Sequence, residues 1–112
     1  MTAEELYQLG TALASQGDVS RSMDALEQAV ELDPDHAPAC KLLAKLALQI
    51  NERRAFVNWC HEASRIAPED PEPYQMMADE LQRMGRNDEA EEARQAAKRR
   101  QSPQRSTSTR QL

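Results

Sequence analysis

The sequence predicts an all-α protein, a linear stack of three helix hairpins forming an α-solenoid. Three observations carry that reading. Gly17, Asn51 and Gly85 stand 34 residues apart, and these residue types best tolerate the positive φ that ends a helix. Pro34 and Pro68 repeat with the same spacing, and each stops a run of good helix formers, because proline has no amide proton and its ring clashes with the preceding turn. Between these marks the apolar residues recur at helical spacing. Turns, breaks and faces that share one period indicate a repeat architecture.

The elements follow in order. Thr2-Ala3-Glu4-Glu5 has the form of a capping box, with Thr2 as cap and Glu5 three residues on. The first helix runs to about Gln16, where Gly17 stops it. Asp18 caps a second helix that runs to about Leu32 and ends at Asp33-Pro34. Asp35 is expected to cap a third, from about Ala37 to Ile50, closed by Asn51. A fourth spans about Arg53 to Ile66, before Pro68. Asp70 caps and Pro71 starts a fifth, where a missing amide donor costs nothing; it ends near Met84 at Gly85. Asn87 is expected to cap a sixth that reaches about Arg100.

This pattern resembles the tetratricopeptide repeat, which reads W-x2-L-G-x2-Y, then A-x3-F, then P in 34 residues. The first repeat shows Leu6-x2-Leu9-Gly10-x2-Leu13, Ser22-x3-Leu26 and Pro34. The second shows Cys40-x2-Leu43-Ala44-x2-Ala47, Phe56-x3-Cys60 and Pro68. The third shows Tyr74-x2-Met77-Ala78-x2-Leu81 and Ala90-x3-Arg94, with a proline one place late at Pro103. The expected organisation is one repeat domain over residues 1–101, with repeats at about 3–36, 37–70 and 71–101, followed by a disordered basic tail over 102–112. The resemblance implies a right-handed superhelical stack.

Departures from the pattern have physical readings. In the second repeat the usual large and small positions are exchanged, Ala47 for tyrosine and Phe56 for alanine. That keeps total volume, which cores tolerate, and predicts Phe56 packed against Ala44 and Ala47. In the third, Arg94 replaces a large apolar residue. The last helix then buries only Ala90, Ala93, Ala96 and Ala97 and serves as the polar end that a repeat stack needs.

Composition narrows the function. Leu, Ile, Val and Phe together number only 17 of 112 residues, against 17 alanines, so the core is thin and alanine-rich. Cys40 and Cys60 fall on apolar helix faces and read as buried thiols. No signal peptide is visible at the start, MTAEELYQLG, and no apolar run approaches the roughly 20 residues of a membrane span. A cytoplasmic protein is the expectation. His36 and His61 do not cluster with other ligands, and no phosphate loop or nucleophile–base pair occurs. No enzyme, metal or cofactor is therefore expected, and most carboxylates read as solvated surface.

Function is left to surface. The resemblance implies that the first helix of each pair lines a concave groove that binds peptides. By register that groove displays Tyr7, Thr11 and Ala14; then Lys41, Lys45, Leu48 and Gln49; then Gln75, Asp79, Gln82 and Arg83. Two lysines beside a leucine suit an acidic side chain or carboxylate flanked by an apolar one. Some family members clamp a chaperone's C-terminal carboxylate, but the matching positions here hold Tyr7, Thr11, Leu42, Glu72 and Met76, which do not fit. The function expected is a protein-interaction adaptor or chaperone-like scaffold with an unidentified protein or peptide partner. An alternative is self-association, a homodimer or filament, through an N-terminal end face of Leu6, Leu9 and Leu13. Another is attachment to nucleic acid or an anionic surface through the tail. Residues 98–112 hold five basic residues and no acid, while the first 97 carry nine basic and 19 acidic residues, net −10; that acidic body opposes nucleic-acid binding. Trp59, the one tryptophan, reads as packing between repeats rather than as a second contact surface.

Overall fold

The computed structural model describes residues 1–101. Among these residues six helices follow one another without a strand: α1 (Ala3–Ser15), α2 (Val19–Leu32), α3 (Ala37–Gln49), α4 (Arg53–Ile66), α5 (Glu72–Arg83) and α6 (Asn87–Gln101). They pair as hairpins, α1 on α2, α3 on α4 and α5 on α6. The chain divides into two compact units: unit 1 is Met1–Ile66 and unit 2 begins at Ala67. The tail expected over 102–112 lies outside the described residues.

The three hairpin turns are built alike. Gly17, Asn51 and Gly85 have φ of 83°, 61° and 80°. Each sits one place past a helix cap, and the next two amides close the helix. In α1 the Gly17 N–H donates to Ala14 O (3.0 Å) and the Asp18 N–H to Leu13 O (2.9 Å). In α3 the Asn51 and Glu52 amides reach Leu48 and Ala47, and in α5 the Gly85 and Arg86 amides reach Gln82 and Leu81. This is the Schellman pattern, which satisfies carbonyls a helix end would otherwise strand.

Helix starts agree with the sequence in part. The Thr2–Glu5 capping box is formed in both directions, at 3.1 and 2.8 Å. That bond to the Thr2 backbone holds the Glu5 carboxyl below its ordinary value. Asp18 caps α2 through the Arg21 amide. Pro71, expected to start α5, stands at its N-cap with helical angles, φ −79° and ψ −15°, and Asp70, expected to be the cap, lies one place before it and accepts the Glu72 amide at 3.0 Å. Two readings are corrected. Asp35 does not cap α3; His36 does, its ring Nδ1 accepting the Ala39 N–H at 3.2 Å. The period marks that position, since 36 lies 34 before Asp70. Asn87 does not precede α6 but is its first residue.

Unit 1 holds a core of Leu6, Leu26, Ala29, Ala39, Leu43 and Leu46, drawn from α1, α2 and α3. Trp59 of α4 packs against it, half-buried, as do Val19, Met23 and Val30. Ala44, Ala47 and Phe56 are all buried in the α3–α4 hairpin, as the volume exchange requires. Unit 2 buries Met77, Ala78, Ala90, Ala96 and Ala97; Ala93 is only half-buried.

Gly10 shows how volume is shared across a hairpin. A Cβ there would stand 2.7 Å from Leu26 Cγ and 3.3 Å from the Ser22 carbonyl oxygen, so α1 approaches α2 more closely than alanine permits. The buried Ser22 hydroxyl donates to the Gly10 carbonyl at 2.6 Å and ties the pair. One period on, the corresponding residues are Ala44 with Cys60, and then Ala78 with Arg94. Glycine stands opposite the leucine in the first hairpin, and alanine takes the glycine position where the leucine is replaced.

Candidate partner-binding site

The expected groove residues fall on the first helix of each hairpin, and the two units present them separately. In unit 1, α1 and α3 are direct neighbours. Tyr7, Thr11 and Ala14 form one stripe of α1 at spacings of four and three. Lys41, Lys45 and Leu48 form the same stripe of α3, so both sets occupy matching register positions on adjacent helices. Thr11, Lys45 and Gln49 are exposed; Tyr7, Ala14, Lys41 and Leu48 are half-buried.

Several of these side chains are already committed to structure. Tyr7 and Ala14 pack against the unit 1 core. The Tyr7 ring also lies 5.0 Å from the His36 ring, at 47°. Accepting the Ala39 amide requires Nδ1 of His36 to be unprotonated, so its proton sits on Nε2 and faces Glu4 Oε1 at 3.0 Å. His36 therefore caps α3, stacks on α1 and bonds to α1 with a side chain only 10% exposed. The Thr11 hydroxyl donates to the Tyr7 carbonyl at 2.9 Å, which leaves it only acceptor capacity toward a ligand.

In unit 2, Gln75, Asp79, Gln82 and Arg83 are exposed on α5, but three have partners within the unit. Arg94 of α6 bonds to Gln82 and approaches Asp79 at 3.8 Å. Arg83 pairs with Glu80 at 3.1 Å. The sequence reading placed Arg94 on a polar end face; the structure folds it back across α5, among two of the expected groove residues. Glu80 departs from the expectation for carboxylates, its side chain being 6% exposed.

The end face proposed for self-association is also corrected. Leu6 and Leu13 are buried, at 6% and 8% exposure, because they point into the unit 1 interior. Only Leu9, at 40%, is open to solvent.

Among the described residues no three His, Cys, Asp or Glu side chains gather where a metal could bind, and no helix is long and apolar enough to cross a membrane. Both cysteines are buried and neither is in a disulfide. Desolvation, with the Glu62 charge adding to it, pushes the Cys40 thiol up to about 11, which keeps it protonated at neutral pH. The Arg65 guanidinium is held above its ordinary value by its hydrogen bond to Glu62 at 2.8 Å. It also reaches Asp35 at 3.6 Å, which ties α4 to the turn before α3.

Six helices in 34-residue hairpins, closed by three identical turns, define the architecture, and a family model described as tetratricopeptide repeat matches residues 13–79. The chain belongs to the tetratricopeptide repeat family. Solved structures agree on the fold. A structure of MamA is 23% identical, with a TM-score of 0.87, over 94% of this chain and 61% of that one. The Yersinia enterocolitica type III secretion translocator chaperone SycD, in an alternative dimer, is 18% identical with a TM-score of 0.80, covering 96% and 84% of the two chains. The second TPR of Spaghetti (RPAP3), bound to the HSP90 peptide SRMEEVD, is 14% identical with a TM-score of 0.77, covering 87% and 90%. The chain spans about three-fifths of the length of the MamA chains it resembles. No curated protein matches the sequence. An all-α helical repeat of this family is a protein-interaction scaffold.

Proposed function

We propose that this repeat protein is a non-enzymatic adaptor or chaperone-like scaffold that holds an acidic peptide segment of a partner protein against the α1–α3 face of unit 1. The observation that supports it most is the α3 stripe Lys41, Lys45 and Leu48. It sets two cations and one aliphatic side chain on successive turns, beside the Tyr7–Thr11 stripe of the neighbouring helix. Those lysines stand out in a body whose first 97 residues carry net −10. A peptide carboxylate meeting a lysine ammonium forms a charge-assisted hydrogen bond, and Leu48 supplies apolar contact. On α5, Gln75 is a separate candidate contact, while Arg83 is paired with Glu80 and Asp79 and Gln82 are held by Arg94.

The HSP90 peptide bound by the second TPR of RPAP3 is not the favoured ligand. The clamp positions that the resemblance identifies are occupied here by Tyr7, Thr11, Leu42, Glu72 and Met76.

The test uses the intact chain and a fluorescein-labelled peptide of alternating glutamate and leucine flanked by Gly-Ser, read by anisotropy. Binding is expected to weaken at least about tenfold in the Lys41→Glu, Lys45→Glu double variant, with the helical circular-dichroism spectrum unchanged. Equal binding by that variant, with its fold intact, excludes the site. Affinity capture from the native host, with the same variant as control, would then identify the partner.

A further inference from the structure

Unit 1 carries a second surface feature, lined by none of the expected groove residues. Val19, Ser20, Met23, Asp24 and Glu27 of α2 and Ile50, after α3, enclose an open notch of about 480 Å³. Its floor is aliphatic: Val19 and Met23 rest on the core beneath, and Ile50 is 47% exposed. Its rim is anionic. Asp24 and Glu27 are exposed, one helical turn apart, and neither makes an ion pair among the described residues.

The repeat supplies an internal control on whether the fold requires this chemistry. The residue at the Ile50 position of the first repeat is Gln16. Gln16 caps α1 before Gly17 as Ile50 caps α3 before Asn51, and the turn hydrogen bonds are the same. Turn geometry therefore does not call for an exposed isoleucine. Nor does the hairpin call for the carboxylates. One period on from Val19, Met23, Asp24 and Glu27 stand Arg53, Val57, Asn58 and His61. Val57 and Met84, one period on from Met23 and Ile50, are exposed apolar residues too; what belongs to this repeat alone is the pair of carboxylates beside them.

We infer that this notch is a second docking site, for a peptide segment of another protein that places one aliphatic side chain beside an arginine or lysine. The aliphatic side chain fills the space between Met23 and Ile50, and the neighbouring cation meets the Asp24 and Glu27 carboxylates. The charge preference is opposite to that of the Lys41–Lys45 stripe, so the site stands independently of the acidic-peptide reading, and the two can be separated by experiment.

The full chain, labelled with 15N, is titrated with a short Gly-Ser peptide carrying one Leu-Arg pair at its centre. Saturable amide shifts are expected at residues 19–27 and 50, weakening as salt is added because the rim charges are exposed. Ile50→Gln restores the side chain that the first repeat uses and so keeps the turn. It should weaken binding about tenfold through lost apolar contact. The Asp24→Asn, Glu27→Gln double variant should weaken binding and abolish the salt dependence. The Lys41→Glu, Lys45→Glu variant should bind this peptide unchanged. A Leu-Glu peptide binding the notch equally well would overturn the proposal. So would undiminished binding by Ile50→Gln, or the absence of saturable shifts at the notch.

Discussion

The α1–α2 and α5–α6 hairpins share one turn design and differ in what lies between their helices. Both first helices end in a Schellman turn on a glycine, at Gly17 and Gly85. Between α1 and α2 lie Leu6, Leu13 and Leu26, with Gly10 cut back to admit Leu26. Between α5 and α6 the buried residues are Met77 and a row of alanines, and the position of Leu26 is taken by Arg94. The second hairpin relies on local devices instead. Arg86 pairs with Glu89 at 2.7 Å, Gln95 bonds to Glu91 at 2.9 Å, and Arg94 reaches across to Gln82. Turn chemistry thus dictates where a hairpin folds, while core volume decides how firmly it holds. Exposed polar pairs are worth a fraction of a kcal/mol each, against about 2 kcal/mol for a buried leucine.

Breaking the core should show the contrast most strongly. Phe56→Ala, in unit 1, is expected to cost about 3–5 kcal/mol; Met77→Ala, in unit 2, should cost nearer 2 kcal/mol, since the site is already lined by alanine. Urea unfolding of both variants measures the difference, and equal losses would refute the asymmetry. Overpacking comes next. Gly10→Ala drives a Cβ into Leu26 and the α2 backbone and should cost about 1–3 kcal/mol. Pairing it with Leu26→Ala should recover part of that loss, because the two volumes trade across the hairpin.

Titration reaches the unit 1 core by another route. The buried Cys40 thiol is raised from 9.0 to about 11. Its contribution to stability is complete below 9.0 and is lost as pH rises toward 11, because the unfolded thiol ionises first. A decline of about 2 kcal/mol across that window should appear in unfolding curves of the wild type and vanish in Cys40→Ala. The smaller effects lie at the surface. Asn51→Ala should cost about 1 kcal/mol and Asn51→Gly nothing, as the residue sits at positive φ. Arg94→Ala should change stability by less than about 1 kcal/mol, because its contacts are largely solvated.

The legible part of the fold was the part written locally. Gly17, Asn51 and Gly85 announce positive φ whatever surrounds them, and Thr2–Glu5 specifies a capping box within four residues. The period of 34 then orders six helices into three hairpins. The candidate site was legible only as register. Numbering placed Lys41, Lys45 and Leu48 on one stripe, but not Tyr7 against the His36 ring. Residue type favours Asp35 as the α3 cap, but the period points one place further, to His36, which caps it.

The sequence by itself determined the helix count, the turn positions, the family and the alanine-rich character of the core. These rest on backbone preference and spacing, which act over a few residues. Tertiary structure alone decided that Leu6 and Leu13 turn inward while Leu9 stays open. It alone decided that Arg94 folds back onto Gln82, and that Ile50 and Met23 line one notch with Asp24 and Glu27. Each depends on which helix lies alongside, and the contact energy comes from side chains distant in the chain.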